Sequence, residues 1–336
     1  MLVTAEGGRD GLRLAAAREG GADRPPVLRA PGWVAFALPP SPGELVLRAP
    51  VFRPCDLGVS ADRRELGFAV TGIDIVTAGA RRHFGAGSAA FGAGFLPREA
   101  GGWRWTGGEA VLPAAMFAGV DRPSVLVVRG FGAPGTEIAP SHHGAFLGGD
   151  SWPADDHVER HLRRVLAPFL EGTLVGQADM LPPDHRGHHE RNLAARQQRL
   201  AATLAGRAGE AVLFGRSSGA RVATLHALKA RVGAVVCLGF PFHAPGRVPE
   251  PERHAHLATI QTPTLLIQGR NDPYGNADDL LDVPLSEHVE WHVVEGAHEF
   301  LLDEAGWHAI GRRVLLFLAG AAERARAGRA VAGAER

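Results

Sequence analysis

Few backbone arrangements accommodate the stretch Ala211-Val212-Leu213-Phe214-Gly215-Arg216-Ser217-Ser218-Gly219-Ala220-Arg221-Val222-Ala223. Four apolar residues lead into Gly-x-Ser-x-Gly, and a run rich in small residues follows. Such a stretch reads as a buried strand that turns abruptly into a helix. A serine in that turn sits on strained backbone, and glycines two positions to either side leave room for close packing. The helix behind it points free N–H groups and the positive end of its dipole at whatever the serine holds. Ser217 is therefore a candidate nucleophile.

A serine hydroxyl is a poor nucleophile until a base takes its proton. Two later segments offer the partners. Thr264-Leu265-Leu266-Ile267-Gln268-Gly269-Arg270-Asn271-Asp272-Pro273 is an apolar strand running into a turn, with Asp272 just past its end. Val289-Glu290-Trp291-His292-Val293-Val294-Glu295-Gly296-Ala297-His298 is the next strand and turn, and His298 closes it. Acid and imidazole thus follow the serine in that order, each after its own strand.

These three pieces resemble the α/β-hydrolase superfamily, most nearly its dienelactone-hydrolase-like branch, over roughly residues 120–320. Leu238-Gly239-Phe240-Pro241 and Pro245-Gly246-Arg247 are similar to a segment that follows the elbow in some of those proteins. The resemblance implies Ser217 as nucleophile, His298 as general base and acid, and Asp272 as the group holding the imidazole tautomer. It also implies an oxyanion hole with one donor from the backbone N–H of Ser218. The second donor is expected after the first strand of the sheet, where Arg129-Gly130-Phe131-Gly132-Ala133 stands, so the N–H of Phe131 is the candidate. Arg129 and Arg216 are the candidate cations for contact with substrate, although a salt bridge from Arg129 to Glu137 is the plainer reading.

From about residue 120 the strand candidates 124–128, 172–175, 211–214, 234–238, 264–268 and 289–294 alternate with helical segments. That rhythm predicts a parallel sheet covered on both faces. Upstream, short apolar runs such as Trp33–Leu38, Glu44–Arg48 and Ile73–Val76 are punctuated by Gly, Pro and Asp, as in a β sandwich. Trp103 and Trp105 share a face at period two, as a core pair or as a platform for a sugar ring. Phe52–Gly58, Arg64–Gly67 and the Trp-Arg-Trp-Thr-Gly-Gly run are faintly similar to β modules of bacterial polysaccharide-handling enzymes. The expected organisation is a β-rich module over 1–118, a catalytic α/β domain over 119–320, and a fraying Ala/Gly/Arg/Glu-rich tail over 321–336.

Lys+Arg 36 balance Asp+Glu 36, so no overall field favours nucleic acid or an anionic membrane. No run approaches the roughly 18 apolar residues of a membrane span, and no signal peptide opens the chain, which makes the cytoplasm the expected compartment. Cys55 and Cys237 are too few and too far apart for a disulfide framework. The histidine-dense stretches His142-His143, Asp184–His189 and His254–His256 lack zinc-ligand spacing, so no metal or cofactor is expected. Gly130-x-Gly132-x-x-Gly135 lacks the helix and distal acid of a dinucleotide site. The polar segment 139–156 is expected to be a loop at the pocket mouth, or one with no role. The favoured activity is hydrolysis of a carboxylic ester, with an O-acyl group on a carbohydrate as preferred substrate class. The alternatives are an acyltransferase using the same three residues, and a non-catalytic glycan-binding or scaffold protein on this fold.

Overall fold

The computed structural model describes residues 11–17, 23–167, 169–181, 192–207, 210–247, 250–281 and 283–334. The chain divides into two units. Met1–Ala139 and Ala322–Arg336 form the first, and Pro140–Ala321 forms the second.

The first unit contains β1 (Arg13–Ala16), β2 (Leu28–Ala30), β3 (Trp33–Leu38), β4 (Leu45–Arg48), β5 (Ala69–Val76), β6 (Arg81–Gly85), β7 (Phe95–Arg98), β8 (Arg104–Thr106), β9 (Glu109–Leu112) and β10 (Ser124–Phe131). Strands β1, β4 and β9 make a small antiparallel sheet. A second antiparallel sheet runs β2-β3-β10-β5-β8-β7, with β6 also paired to β5. Alternation along the strands puts Leu45, Leu47, Ala110 and Leu112 of one sheet into the same core as Phe36, Ile73, Ile75, Leu126 and Val128 of the other. The upstream region is thus the β-rich module expected.

Its extent is not. The segment Ser124–Phe131, read from sequence as the first strand of the parallel sheet, is β10, and it pairs antiparallel with β3 and β5. The physical reason is that Val125 to Val128 are buried on both faces, which erases the alternation that separates the two kinds of strand. The boundary therefore lies after Ala139 rather than near 118. The two tryptophan rings share a neighbour. Trp105 is buried, and Trp103 and Trp105 both meet Phe131 edge-on at 5.4 and 5.5 Å. Trp105 is used in packing, with the half-buried Trp103 against the same cluster.

The second unit holds six parallel strands in the order β12-β11-β13-β14-β15-β16. These are β11 (His142–Leu147), β12 (Leu174–Val175), β13 (Glu210–Arg216), β14 (Ala234–Leu238), β15 (Thr264–Gly269) and β16 (Val289–Val294). The helices are α1 (His157–Val165), α2 (Leu193–Leu204), α3 (Ser218–Ala227), the single turn α4 (Pro251–His254) and α5 (Glu304–Ala334). Asn192 caps α2 by accepting from the N–H groups of Ala194 and Ala195. Leu147, Leu213, Val235, Cys237 and Leu266 of the sheet pack with Val222 and Ala223 of α3 in one core. Burial pushes the Cys237 thiol far up, which keeps it an inert apolar group.

The expected loop 139–156 contains β11, whose six residues are all buried. Two histidines and a glycine conceal that strand from any apolar count. His142 stacks on Phe169 at 3.9 Å, with Nε2 at 3.0 Å from the Phe169 carbonyl. Burial lowers its pKa to about 4, so it serves as a flat neutral ring. The expected fraying tail is likewise the end of α5, where Arg326 donates to the carbonyls of Pro25 and Pro26 within the first unit. Ala, Arg and Glu are strong helix formers, and those bonds anchor the turn. Among the described residues no helix is long and apolar enough to cross a membrane.

Candidate active site

The chain leaves β11 to one side of the sheet, to β12, and β13 to the other, to β14, so the order reverses between β11 and β13. A crevice opens outside the carboxyl ends of strands at such a point. Ser217 stands there, between the end of β13 and the start of α3, with φ 51° and ψ −123°. Its glycine neighbours are sterically required. A Cβ on Gly215 would lie 2.4 Å from the Ala220 Cα, and one on Gly219 would lie 2.2 Å from the Leu147 carbonyl oxygen. A Cβ on Gly149, in the loop after β11, would lie 3.0 Å from the Ser217 Cβ.

The turns after β15 and β16 bring Asp272 and His298 to the serine. Ser217 Oγ is 3.0 Å from His298 Nε2, and His298 Nδ1 is 2.8 Å from Asp272 Oδ2. With Nδ1 protonated and donating to the carboxylate, Nε2 is left as the acceptor facing the serine hydroxyl. Asp272 is buried and accepts two further hydrogen bonds, from the Tyr274 N–H at 2.8 Å and from Gln268 Nε2 at 2.9 Å. The Tyr274 ring lies against the imidazole at 4.2 Å between centroids.

Gln268 is a residue of this constellation that motif reading passes over. Its amide also donates to the Gly275 carbonyl at 2.6 Å and accepts from the Phe240 N–H at 3.0 Å, tying the turn after β14 to the turn that carries Asp272. A fully buried glutamine ending the apolar run Leu265-Leu266-Ile267 was the available signal.

The loop opening at Gly148 is fixed from both sides. The Gly148 N–H donates to Gln177 Oε1 at 2.8 Å, and its carbonyl accepts from Arg196 Nη2 at 2.6 Å. Arg196 Nη1 also donates to Ser218 Oγ at 3.0 Å, and that hydroxyl donates to Asp150 at 2.6 Å. Gln177 and Arg196 are both buried, and nothing in their local sequence announces it. The Ser218 side chain is therefore committed to holding this loop. Its backbone N–H is one of the helix-terminal donors that have no intrahelical partner.

Arg216 is buried beneath the serine. Its Nη1 donates to His298 Nε2 at 3.1 Å, its Nε is 3.5 Å from Asp155 Oδ2, and its guanidinium lies 5.6 Å over the Phe300 ring. Burial lowers its pKa, yet a guanidinium starts so far above neutrality that it stays charged.

Two residues expected at the site belong to the first unit instead. Arg129 Nη2 bonds Asp74 at 2.9 Å, which also replaces the expected bridge to Glu137, and Phe131 pairs with Ala69 in the antiparallel sheet. Both expectations followed from assigning β10 to the wrong sheet. In the parallel sheet the loop that lies against Ser217 is the one after β11. Among the described residues no group of three or more His, Cys, Asp or Glu is placed to hold a metal ion. His185, His188 and His189 lie outside the described residues.

A family model for an alpha/beta hydrolase domain matches residues 178–306. Solved structures similar to the chain include an esterase from Pyrococcus furiosus, at 15% identity over 54% of this chain and 83% of that one, with TM-score 0.41. An alpha-beta serine hydrolase homologue from Coxiella burnetii matches at 19% identity over 52% and 83%, with TM-score 0.40. A haloalkane dehalogenase loop variant from Bradyrhizobium elkanii matches at 18% identity over 56% and 92%, with TM-score 0.42. No curated protein gives a significant match.

Proposed function

We propose that this chain, whose residues 178–306 match an alpha/beta hydrolase domain, is a serine esterase that cleaves carboxylic esters through an acyl-serine intermediate. The observation that carries the reading is the hydrogen-bonded series Ser217 Oγ, His298, Asp272, with links of 3.0 and 2.8 Å. In it His298 Nε2 takes the hydroxyl proton as Oγ attacks the ester carbonyl. Asp272 holds the imidazole in the tautomer that can accept and offsets the charge it gains. The proton then passes to the departing alcohol, and water repeats the sequence on the acyl-enzyme.

The developing oxyanion is assigned to the Ser218 N–H and the Gly149 N–H. The second replaces Phe131 and comes from the loop that Gln177 and Arg196 hold against the serine. Each donor is worth roughly 10²–10³ in rate at comparable sites. Within this class a carbohydrate O-acyl ester is the substrate that the faint module resemblance suggests. Its own test is Ser217-dependent release of acetate from an acetylated polysaccharide.

The test of the main reading is covalent labelling by a fluorophosphonate probe. Labelling of the wild type that disappears in Ser217→Ala and His298→Ala is the expected result. A folded wild type that does not label sinks the esterase reading and leaves the binding-protein alternative.

A further inference from the structure

We propose that Arg216 is a catalytic donor to the leaving-group oxygen, an inference that rests on the serine-esterase reading above. Its Nη1, at 3.1 Å from His298 Nε2, competes with Ser217 Oγ, at 3.0 Å, for the one lone pair of that nitrogen. The competition holds only while the imidazole is neutral. Once Nε2 accepts the serine proton it becomes a donor itself, and Arg216 faces an imidazolium with no acceptor for its own N–H.

What restores the balance is an anionic oxygen within reach of both groups. The alcohol oxygen of the substrate must approach Nε2 to receive its proton, and so must come close to Nη1. During acylation the Ser217 Oγ–carbon bond forms and the carbon–alkoxide bond breaks. The serine proton travels through Nε2 to the departing oxygen, which leaves as neutral alcohol. Arg216 lends a hydrogen bond and positive charge to that oxygen and transfers no proton.

The surroundings hold the guanidinium in place for this. Arg216 is 3% exposed, and its Nε faces Asp155 Oδ2 at 3.5 Å, an ion pair longer than a full hydrogen bond. Asp155, Asp272 and Glu299 all attract its charge. Gly239 gives it room, since a Cβ there would stand 2.8 Å from Nη1. A donor whose bond to the reacting oxygen exists only as charge develops there lowers the barrier without tightening substrate binding.

The experiment compares kcat/KM for the ethyl and p-nitrophenyl esters of one short acid in wild type, Arg216→Gln and Arg216→Lys. An ethoxide-like oxygen needs stabilisation on leaving, whereas p-nitrophenolate scarcely does. The expected result is a p-nitrophenyl to ethyl ratio that rises by about a hundredfold in Arg216→Gln. In Arg216→Lys, which keeps a charge but loses the fork, it rises by roughly tenfold. The lysine variant decides alone if the glutamine variant does not fold. Equal falls on both esters would overturn the proposal and leave Arg216 as a packing and ion-pair residue. Hydrolysis by Ser217→Ala at the wild-type rate would instead overturn the esterase reading, and this inference with it.

Discussion

Among the described residues each unit buries one aspartate almost completely, and the two carboxylates are held in opposite ways. Asp74, in the β-rich unit, meets Arg81, Arg129 and the His83 ring, each at 2.9 Å. Its partners arrive from the two strands that flank β5, Arg81 and His83 from β6 and Arg129 from β10, and the two arginines are permanently cationic. Asp272, in the α/β unit, meets a glutamine amide, a backbone N–H and one imidazole. The first arrangement satisfies the charge outright and leaves the carboxylate nothing further to do. The second steadies it with neutral donors and leaves its negative charge to act through His298, whose far nitrogen is turned to Ser217. Burial alone does not distinguish the two carboxylates; what their partners face does, and on the serine-esterase reading proposed above only Asp272 acts on the reaction.

That contrast can be broken by substitution. Asp272→Asn keeps the shape and removes the charge, so kcat/KM should drop by about 10⁴ with the melting transition almost unmoved. A fall of less than about tenfold would place Asp272 with Asp74 as a structural residue. Gln268→Leu removes one donor to Asp272 and the tie to the Phe240 turn. It should cost about 10²-fold in kcat/KM through misplacement of the acid, together with a measurable loss of Tm. Asp74→Ala should do the reverse. It should cost stability on the order of 1–3 kcal/mol, because Arg81 and Arg129 are partly exposed and recover some solvation. Fluorophosphonate labelling per folded molecule should not change.

The smallest effect is one of pH. His142 is held down at about 4 in the folded chain, whereas an unfolded histidine titrates near 6.5. The unfolded chain therefore binds the extra proton between those values. The contribution is complete above pH 6.5 and is lost as pH falls toward 4. His142→Phe should flatten part of that decline in Tm, with His256, also at about 4, carrying another part. An unchanged slope would show that His142 is not the neutral packing ring its stack on Phe169 suggests.

Legibility in the sequence followed how local each signal was. Ser217, Asp272 and His298 each close a strand-turn segment whose residue types carry their own geometric demands, so reading them required no knowledge of distant contacts. The β-rich unit was legible as a class from its short punctuated runs. Its last strand was not, because Val125–Val128 is buried on both faces and carries no sign of its sheet. Arg129 and Phe131 went astray with it. His142-His143-Gly144 hid β11 for the opposite reason, as residues of polar type doing apolar work. Arg216 was a visible candidate, but a side chain's direction beneath a strained turn depends on Gly239, Phe300 and Asp155, which come from other elements. Arg196 and Gln177 give no local sign at all.

The backbone of Ser217 carries one more consequence. At φ 51° and ψ −123° a residue with a side chain is held against its preference, at a cost of roughly 1–3 kcal/mol. Glycine would rest there almost without strain, so Ser217→Gly should raise Tm by a few degrees while ending the chemistry. Heat resistance and turnover are thus opposed at a single hydroxymethyl group. On the serine-esterase reading, the one change that most completely disarms the chain is also one that makes it more durable.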